Sequence, residues 1–198
     1  MGLFSKLFKT QQRGVVNNSF ERLPIFHQTL QFPFPLSWPL EPLHRELDGG
    51  VFLLEFSAEG RGRDDWQEKL VIQGFNSAND DADMNARKLL GMMCEEMQSL
   101  DEESYHYEEL FADTADNRQR VAALMGLRAL PGQEDVAQFG LYMVIEGEHD
   151  IYIVQRAWKA EPSETDGLPM AREELEAWLE DFKNIALLDL QTMPEELL

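Results

Sequence analysis

Two adjacent apolar segments near residue 150 constrain the fold more than any other feature of the sequence. Residues 139–145 and 151–158 have the length of strands and are rich in β-branched and aromatic side chains. A short loop joins them, residues 146–150, with Gly147 early in it, as is typical of a hairpin connection. The sequence therefore predicts an antiparallel hairpin around which the other elements are arranged.

Further segments predict strands on both sides of this hairpin. Residues 51–56 are a compact apolar run, residues 67–75 carry apolar side chains on both sides of a strand, and 104–111 alternates as a strand with one wet face. The composition of residues 121–130 suits a helix as well as a strand, and we favour a strand because the hairpin needs a neighbour. Residues 26–40 contain three prolines, which predicts an edge strand, where a missing N–H does little harm.

Two helices complete the pattern. An Asn- and Asp-rich stretch, residues 76–83, offers an N-cap to a helix over residues 82–100. Pro169 opens a second helix, with an apolar face that includes Trp178 and Phe182. Because no regular βαβ alternation is present, we predict an α+β domain in which an antiparallel sheet of about six strands carries two main helices on one face.

Charge is the strongest functional signal in the sequence. The chain has 37 acidic and 17 basic residues, for a net charge of −20. Acids concentrate in residues 95–116 and 161–198. Such a field repels phosphate backbones, so we expect no nucleic-acid partner and favour another protein, with a basic surface. A solvated face and a docking surface both remain as interpretations of the two stretches.

The first residues differ from the rest of the chain. Residues 1–20 contain three bases and no acid. Four apolar side chains occur there at helical spacing and make a candidate anchor for a membrane surface or a partner's groove: Leu3, Phe4, Leu7 and Phe8. We therefore divide the chain into a basic tail (1–20), one α+β domain (21–190) and an acidic C-terminal tail (191–198).

The sequence carries no local signature of catalysis. The nucleophile elbow, the phosphate-binding loop and the zinc-protease motif are all missing. An Asn- and Asp-rich cluster at residues 79–85 lacks the central Gly and terminal Glu of a calcium loop, and capping explains it better. Cys94 is the single cysteine, which fits a reducing compartment. We expect a cytoplasmic protein that is not an enzyme and needs no cofactor or metal.

Two groups of residues are candidates for protein binding. The first shares the amphipathic, aromatic character of interface anchors: Tyr142, Tyr152, Arg156 and Trp158. If loops or the proline-rich segment cover that side of the sheet, these side chains are core instead. The second group is acidic and lies in the first charged stretch: Glu102, Glu103, Glu108 and Glu109.

The order of segments and two short words resemble a known superfamily. The words are DDW at residues 64–66 and VQRAW at 154–158. Over residues 26–188 the chain is similar to uncharacterised bacterial proteins of the PsbP/Mog/DcrB-like superfamily. The resemblance implies an antiparallel sheet backed by helices and a role as a protein-binding adaptor, such as a chaperone for type VI secretion effectors. It supplies no active-site residues.

Three functions follow from these observations. The first is an acidic protein-binding module, either a chaperone or adaptor or an immunity-type protein for a secreted effector. The second is a peripheral accessory component of an envelope or secretion machine, held by the N-terminal tail. The third is an unrecognised hydrolase or metal enzyme. The sequence does not specify the oligomeric state.

Overall fold

The computed structural model describes residues 18–58, 65–78, 84–115, 118–163 and 167–189. Within these residues the chain forms ten strands and two helices. The strands are β1 (Asn18–Ile25), β2 (Gln28–Pro35), β3 (His44–Asp48), β4 (Val51–Ser57), β5 (Glu68–Phe75), β6 (Tyr105–Ala115), β7 (Arg118–Leu127), β8 (Ala137–Glu146), β9 (Ile151–Ala160) and β10 (Ala186–Asp189). The helices are α1 (Ala86–Leu100) and α2 (Arg172–Phe182).

Seven strands form one antiparallel sheet in the order β3-β4-β5-β9-β8-β7-β6. The predicted hairpin is its centre, with Ile151 of β9 opposite Glu146 of β8. All four of the other segments predicted as strands in this region are strands of this sheet. The α+β class with an antiparallel sheet is confirmed, although the main sheet has seven strands rather than about six.

A second sheet of three strands has the order β1-β2-β10. The prediction that the proline-rich segment is an edge strand is wrong, because β2 lies between the other two strands. The prolines nevertheless lie where a missing backbone N–H does little harm to the sheet. Since β10 pairs only with residues from Gln28 to Gln31, Pro33 and Pro35 lie beyond it and have a strand neighbour on the β1 side alone.

The main sheet is apolar on both faces. Leu141 and Met143 of β8 belong to one core, while Tyr142 and Val144 belong to another on the opposite face. The helix α1 covers the second core, and α2 with the small sheet covers the first. The predicted packing of both helices on one face is therefore corrected: two apolar faces each need a cover, so the helices lie on opposite sides.

A buried carboxylate joins the two sheets. Asp150, in the β8–β9 turn, is fully buried and accepts hydrogen bonds from the Ser77 N–H (2.9 Å), the His27 N–H (3.2 Å) and the Tyr152 hydroxyl (2.8 Å). Burial alone would raise the pKa of Asp150, but these hydrogen bonds outweigh it and lower the pKa. Asp150 thus connects the β8–β9 turn to the β1–β2 turn and to the turn that follows β5.

The predicted N-terminal and C-terminal tails lie mostly outside the described residues. β1 begins at Asn18, so the last three residues assigned to the tail lie in a strand. The anchor residues Leu3, Phe4, Leu7 and Phe8, and the C-terminal residues 191–198, lie outside the described part of the chain. Neither of the helices in the described part is long and apolar enough to cross a membrane.

Candidate protein-binding groove

The four residues predicted to share an aromatic surface are buried. Tyr142 is 4% exposed, Tyr152 0%, Arg156 1% and Trp158 1%. Tyr142 also faces the core under α1, whereas Tyr152 and Trp158 face the other core. The prediction of a common exposed surface is therefore wrong, because both faces of β8 and β9 are covered.

Arg156 has a packing role. Its guanidinium lies 2.6 Å from the Glu68 carboxylate and stacks on the rings of Trp38 at 4.1 Å and Trp178 at 4.6 Å. Because Trp38 follows β2 and Trp178 belongs to α2, one cation connects the main sheet to both elements that cover it. The proline-rich segment thus covers this side, as the alternative interpretation required.

The surface feature best suited to binding is a groove between α1 and β6, which we call the α1–β6 groove. Its wider half is a cleft of about 380 Å³. The lining is Arg87, Leu90, Gly91, Cys94 and Gln98 from α1, with Tyr105, Tyr107 and Glu109 from β6. The alternation of a strand places the three β6 residues on one face, and α1 packs across that face.

A narrower cleft of about 200 Å³ continues the groove toward the start of α1. Its lining includes Arg87 of α1 and Ala112 and Thr114 of β6. Arg87 lines both clefts and spans the groove to Glu109 through two hydrogen bonds of 2.8 and 3.2 Å. The side chains of Arg87 and Glu109 are 57% and 36% exposed, so their ion pair contributes at most about 1 kcal/mol to stability. Either side chain can therefore exchange this partner for another.

The floor of the wider half is apolar and uncharged. Burial raises the pKa of the Cys94 thiol and raises the pKa of both Tyr105 and Tyr107. All three groups are therefore neutral at physiological pH. Tyr107 of the lining is 39% exposed, so the groove presents aromatic surface to solvent.

The predicted acidic residues lie around this groove in three different settings. Glu109 is part of its lining. Glu102 and Glu103 are exposed in the turn that connects α1 to β6, where the Asp101 carboxylate accepts the Glu103 N–H at 3.1 Å. Glu108 is exposed and, opposite Leu124, lies on the other face of β6. Of the four, only Glu109 lines the groove, while Glu102 and Glu103 lie in the turn that leads into it at Tyr105.

The strand that borders the groove is at the edge of the sheet. β6 is the last strand in the seven-strand order and pairs only with β7 among the described strands. Its register shifts between Glu109 and Phe111, which marks a bulge at Leu110. Charged side chains and a bulge protect an edge strand from unspecific pairing with other chains. The same edge can still accept an added strand from a segment that matches it.

The sequence patterns missed most of the groove residues. Tyr105, Tyr107 and Glu109 follow the i, i+2, i+4 rule that places them on one face, and this signal was present in the sequence. Arg87 and Cys94 instead become groove residues only because α1 lies over β6, a tertiary relation that no local pattern gives. Within the described ranges, no group of three or more side chains is arranged to hold a metal ion.

Comparison with known proteins supports the fold. The sequence matches no model of a known protein family and no curated protein. A mutant of protein Mog1 superposes with a TM-score of 0.55 at 11% identity, over 88% of this chain and 98% of that one. The chain therefore has the Mog1 fold, and the predicted resemblance is confirmed at that level.

Two further solved structures align less closely. Saccharomyces cerevisiae Ran-binding protein Mog1p gives a TM-score of 0.49 at 10% identity, covering 90% of this chain and 100% of that one. The solution structure of cyanobacterial PsbP (CyanoP) from Synechocystis gives 0.46 at 13% identity, covering 86% and 91%. At such identities a likeness concerns the fold and not the activity.

Proposed function

We propose that this protein is a non-catalytic binding module that holds a basic, partly apolar segment of a partner protein in the α1–β6 groove. The observation that carries the proposal is the combination of an apolar floor, an open edge strand and an acidic border in one place. An apolar floor favours burial of side chains, and the edge of β6 offers backbone groups for pairing.

The local charge specifies the kind of partner. Residues 84–115 contain eight acids and two bases, and one of those bases, Arg87, is already paired with Glu109. A cationic segment approaching this region is steered toward it and gains favourable contacts at the border. Lysine or arginine side chains flanking apolar ones would place charge on the rim and apolar groups on the floor.

The chemistry of the groove favours binding over reaction. Cys94, the one nucleophilic side chain in its lining, has a raised pKa, which is the opposite of an activated thiol. We place the protein in the cytoplasm, where a partly buried free thiol is stable. A chaperone, adaptor or immunity-type role toward a secreted effector is the form of binding that we propose.

Affinity for a defined probe tests the proposal. A peptide as long as β6 that alternates lysine with leucine should bind wild-type protein at low ionic strength. Replacing Glu102, Glu103 and Glu109 with Gln should weaken binding about tenfold, since three surface charges together contribute about 1.4 kcal/mol. High ionic strength should remove most of this difference by screening.

Two controls make the result specific to the groove. The triple variant Glu161→Gln, Glu173→Gln, Glu176→Gln changes the net charge equally on exposed residues elsewhere and should bind as wild type does. A peptide that alternates glutamate with leucine should not bind. Equal loss of affinity in both triple variants would show that net charge alone acts, and the proposed site would be wrong.

A further inference from the structure

We propose that the basic N-terminal segment of the chain itself, residues 3–9, occupies the apolar half of the α1–β6 groove when no partner is bound. The proposal rests on the proposed function, since it assumes that this groove selects basic apolar segments. It adds a regulatory element, because a partner must then displace the protein's own segment.

Chemical complementarity is the first argument. Residues 1–20 are the longest part of the sequence in which bases occur without any acid. Lys6 and Lys9 flank Leu7 and Phe8 there, which is the combination of charge and apolar side chains that the groove requires. The acids at the turn and Glu109 carry the opposite charge.

Position is the second argument. β1 begins at Asn18, whose side-chain amide donates to Asp181 at the end of α2. Nearby, the Lys183 carbonyl accepts a hydrogen bond from Arg120 at 3.0 Å, and Arg120 pairs with Asp113 of β6 at 2.7 Å. The first described residue therefore lies close to the far end of β6, at the open edge of the sheet.

The connecting chain is long enough. Fully extended, the stretch from Lys9 to Asn18 spans about 30 Å. Glu109, the β6 residue of the wider half nearest to Asp113, lies about 13 Å from it along the strand, which leaves about 17 Å for the path from Asn18 around the open edge. The segment can therefore reach the Glu109 end of the wider half. Because it is part of the same chain, its local concentration at the groove is high, and weak intrinsic affinity is sufficient for occupancy.

Cys94 provides a direct readout in the full-length chain. It is the single cysteine, it lines the apolar half of the groove, and it is partly exposed. A bound segment would shield it from iodoacetamide, a small neutral reagent whose access does not depend on the acidic field. The alkylation rate then reports the fraction of molecules in which the groove is open.

Two variants of the segment test the proposal. Leu7→Asp with Phe8→Asp removes the apolar contacts, and Lys6→Glu with Lys9→Glu removes the charge match. If the segment fills the groove nine-tenths of the time, each variant should alkylate about tenfold faster than wild type. New carboxylates near a thiol raise its pKa and slow the reaction, so a faster rate reports exposure and not chemistry.

The control reverses two charges on α2, on the opposite side of the sheet: Arg172→Glu with Lys183→Glu should leave the rate unchanged. Equal rates in wild type and both segment variants would overturn the proposal. If the lysine–leucine peptide still slowed alkylation in that case, the groove would bind such segments and only self-occupancy would be wrong. Faster alkylation of wild type on adding anionic vesicles would support displacement of the segment by a membrane.

Discussion

At the scale of single residues, Asp150 shows how one buried charge is maintained. Its carboxylate is surrounded by donors from two loops and from Tyr152. The Ser77 and His27 N–H groups would lose this partner if the carboxylate were removed, whereas the Tyr152 hydroxyl also reaches the Ile25 carbonyl. A buried charge with every oxygen paired stabilises a fold, whereas unpaired donors cost free energy. The residue therefore acts as a structural tie between the small and the main sheet.

We predict that Asp150→Asn lowers the free energy of unfolding by about 1–3 kcal/mol at neutral pH, because an amide group replaces one of two accepting oxygens. The penalty should shrink in acid. The folded-state pKa of Asp150 lies below its ordinary value of 3.8, so its contribution is complete above that value and is lost as pH falls through the folded pKa.

Urea unfolding of the two proteins at neutral pH and at about pH 3 measures this change. Asp113→Asn is the comparison variant, because Asp113 is 45% exposed; its penalty should be smaller, about 1 kcal/mol, and should also shrink in acid, because the hydrogen bonds of Arg120 lower the pKa of Asp113. A penalty for Asp150→Asn that stays constant or grows in acid would contradict the proposed role of the carboxylate.

At the scale of elements, the pairing of β7 with β8 depends on close approach at Gly126. A Cβ added there would lie 2.2 Å from the Gln138 carbonyl oxygen and 2.6 Å from the Phe139 Cα. Both are backbone atoms, so the strands would have to separate. The helix α1 is different, because a Cβ at Gly91 would meet no atom within 4 Å.

We predict opposite effects for one substitution at these two glycines. Gly126→Ala should destabilise the protein by about 1–3 kcal/mol or more through overpacking. Gly91→Ala should stabilise it by about 0.5–1 kcal/mol, because alanine favours a helix and loses less backbone entropy on folding. Thermal unfolding measures both. Similar shifts of Tm in the same direction would contradict this description of the strand pair and of the helix surface.

Strands and helices differ in how far the sequence predicts them. The central hairpin was predictable because residues 139–145 and 151–158 are apolar enough to specify buried strands. The edge position assigned to the proline-rich segment was wrong because the neighbour β10 comes from residues 186–189, far along the chain. A four-residue strand gives too weak a periodic signal to be recognised before its partner is known.

The placement of the helices shows the same limit. The apolar face of the second helix was correctly predicted, since α2 buries Trp178 and Phe182, and α1 buries Ala86 and Leu90. The helices lie on opposite faces of the sheet because β7, β8 and β9 carry apolar side chains on both faces. The sequence contained that signal in residues 151–157, but it was interpreted as one exposed face rather than as two buried ones.

At the scale of the whole molecule, the distribution of charge and the fold together define the groove. The acidic stretch 95–116 looked uniform in sequence, but the fold divides it among the end of α1, a turn and an edge strand. Glu109 and Asp113 enter the groove lining, while Glu108 lies on the other face. The proposed charge of the partner therefore comes from the composition, and its proposed binding position comes from the tertiary structure.

The most direct test of the central claim is hydrogen exchange of the full-length protein with and without the lysine–leucine peptide. Binding in the α1–β6 groove should slow amide exchange in β6 from Tyr105 to Glu109 and along the facing part of α1. The opposite edge, β3, should exchange unchanged. Slowing confined to β3 or α2, or no slowing in β6 while the peptide is bound, would contradict the α1–β6 groove as the binding site.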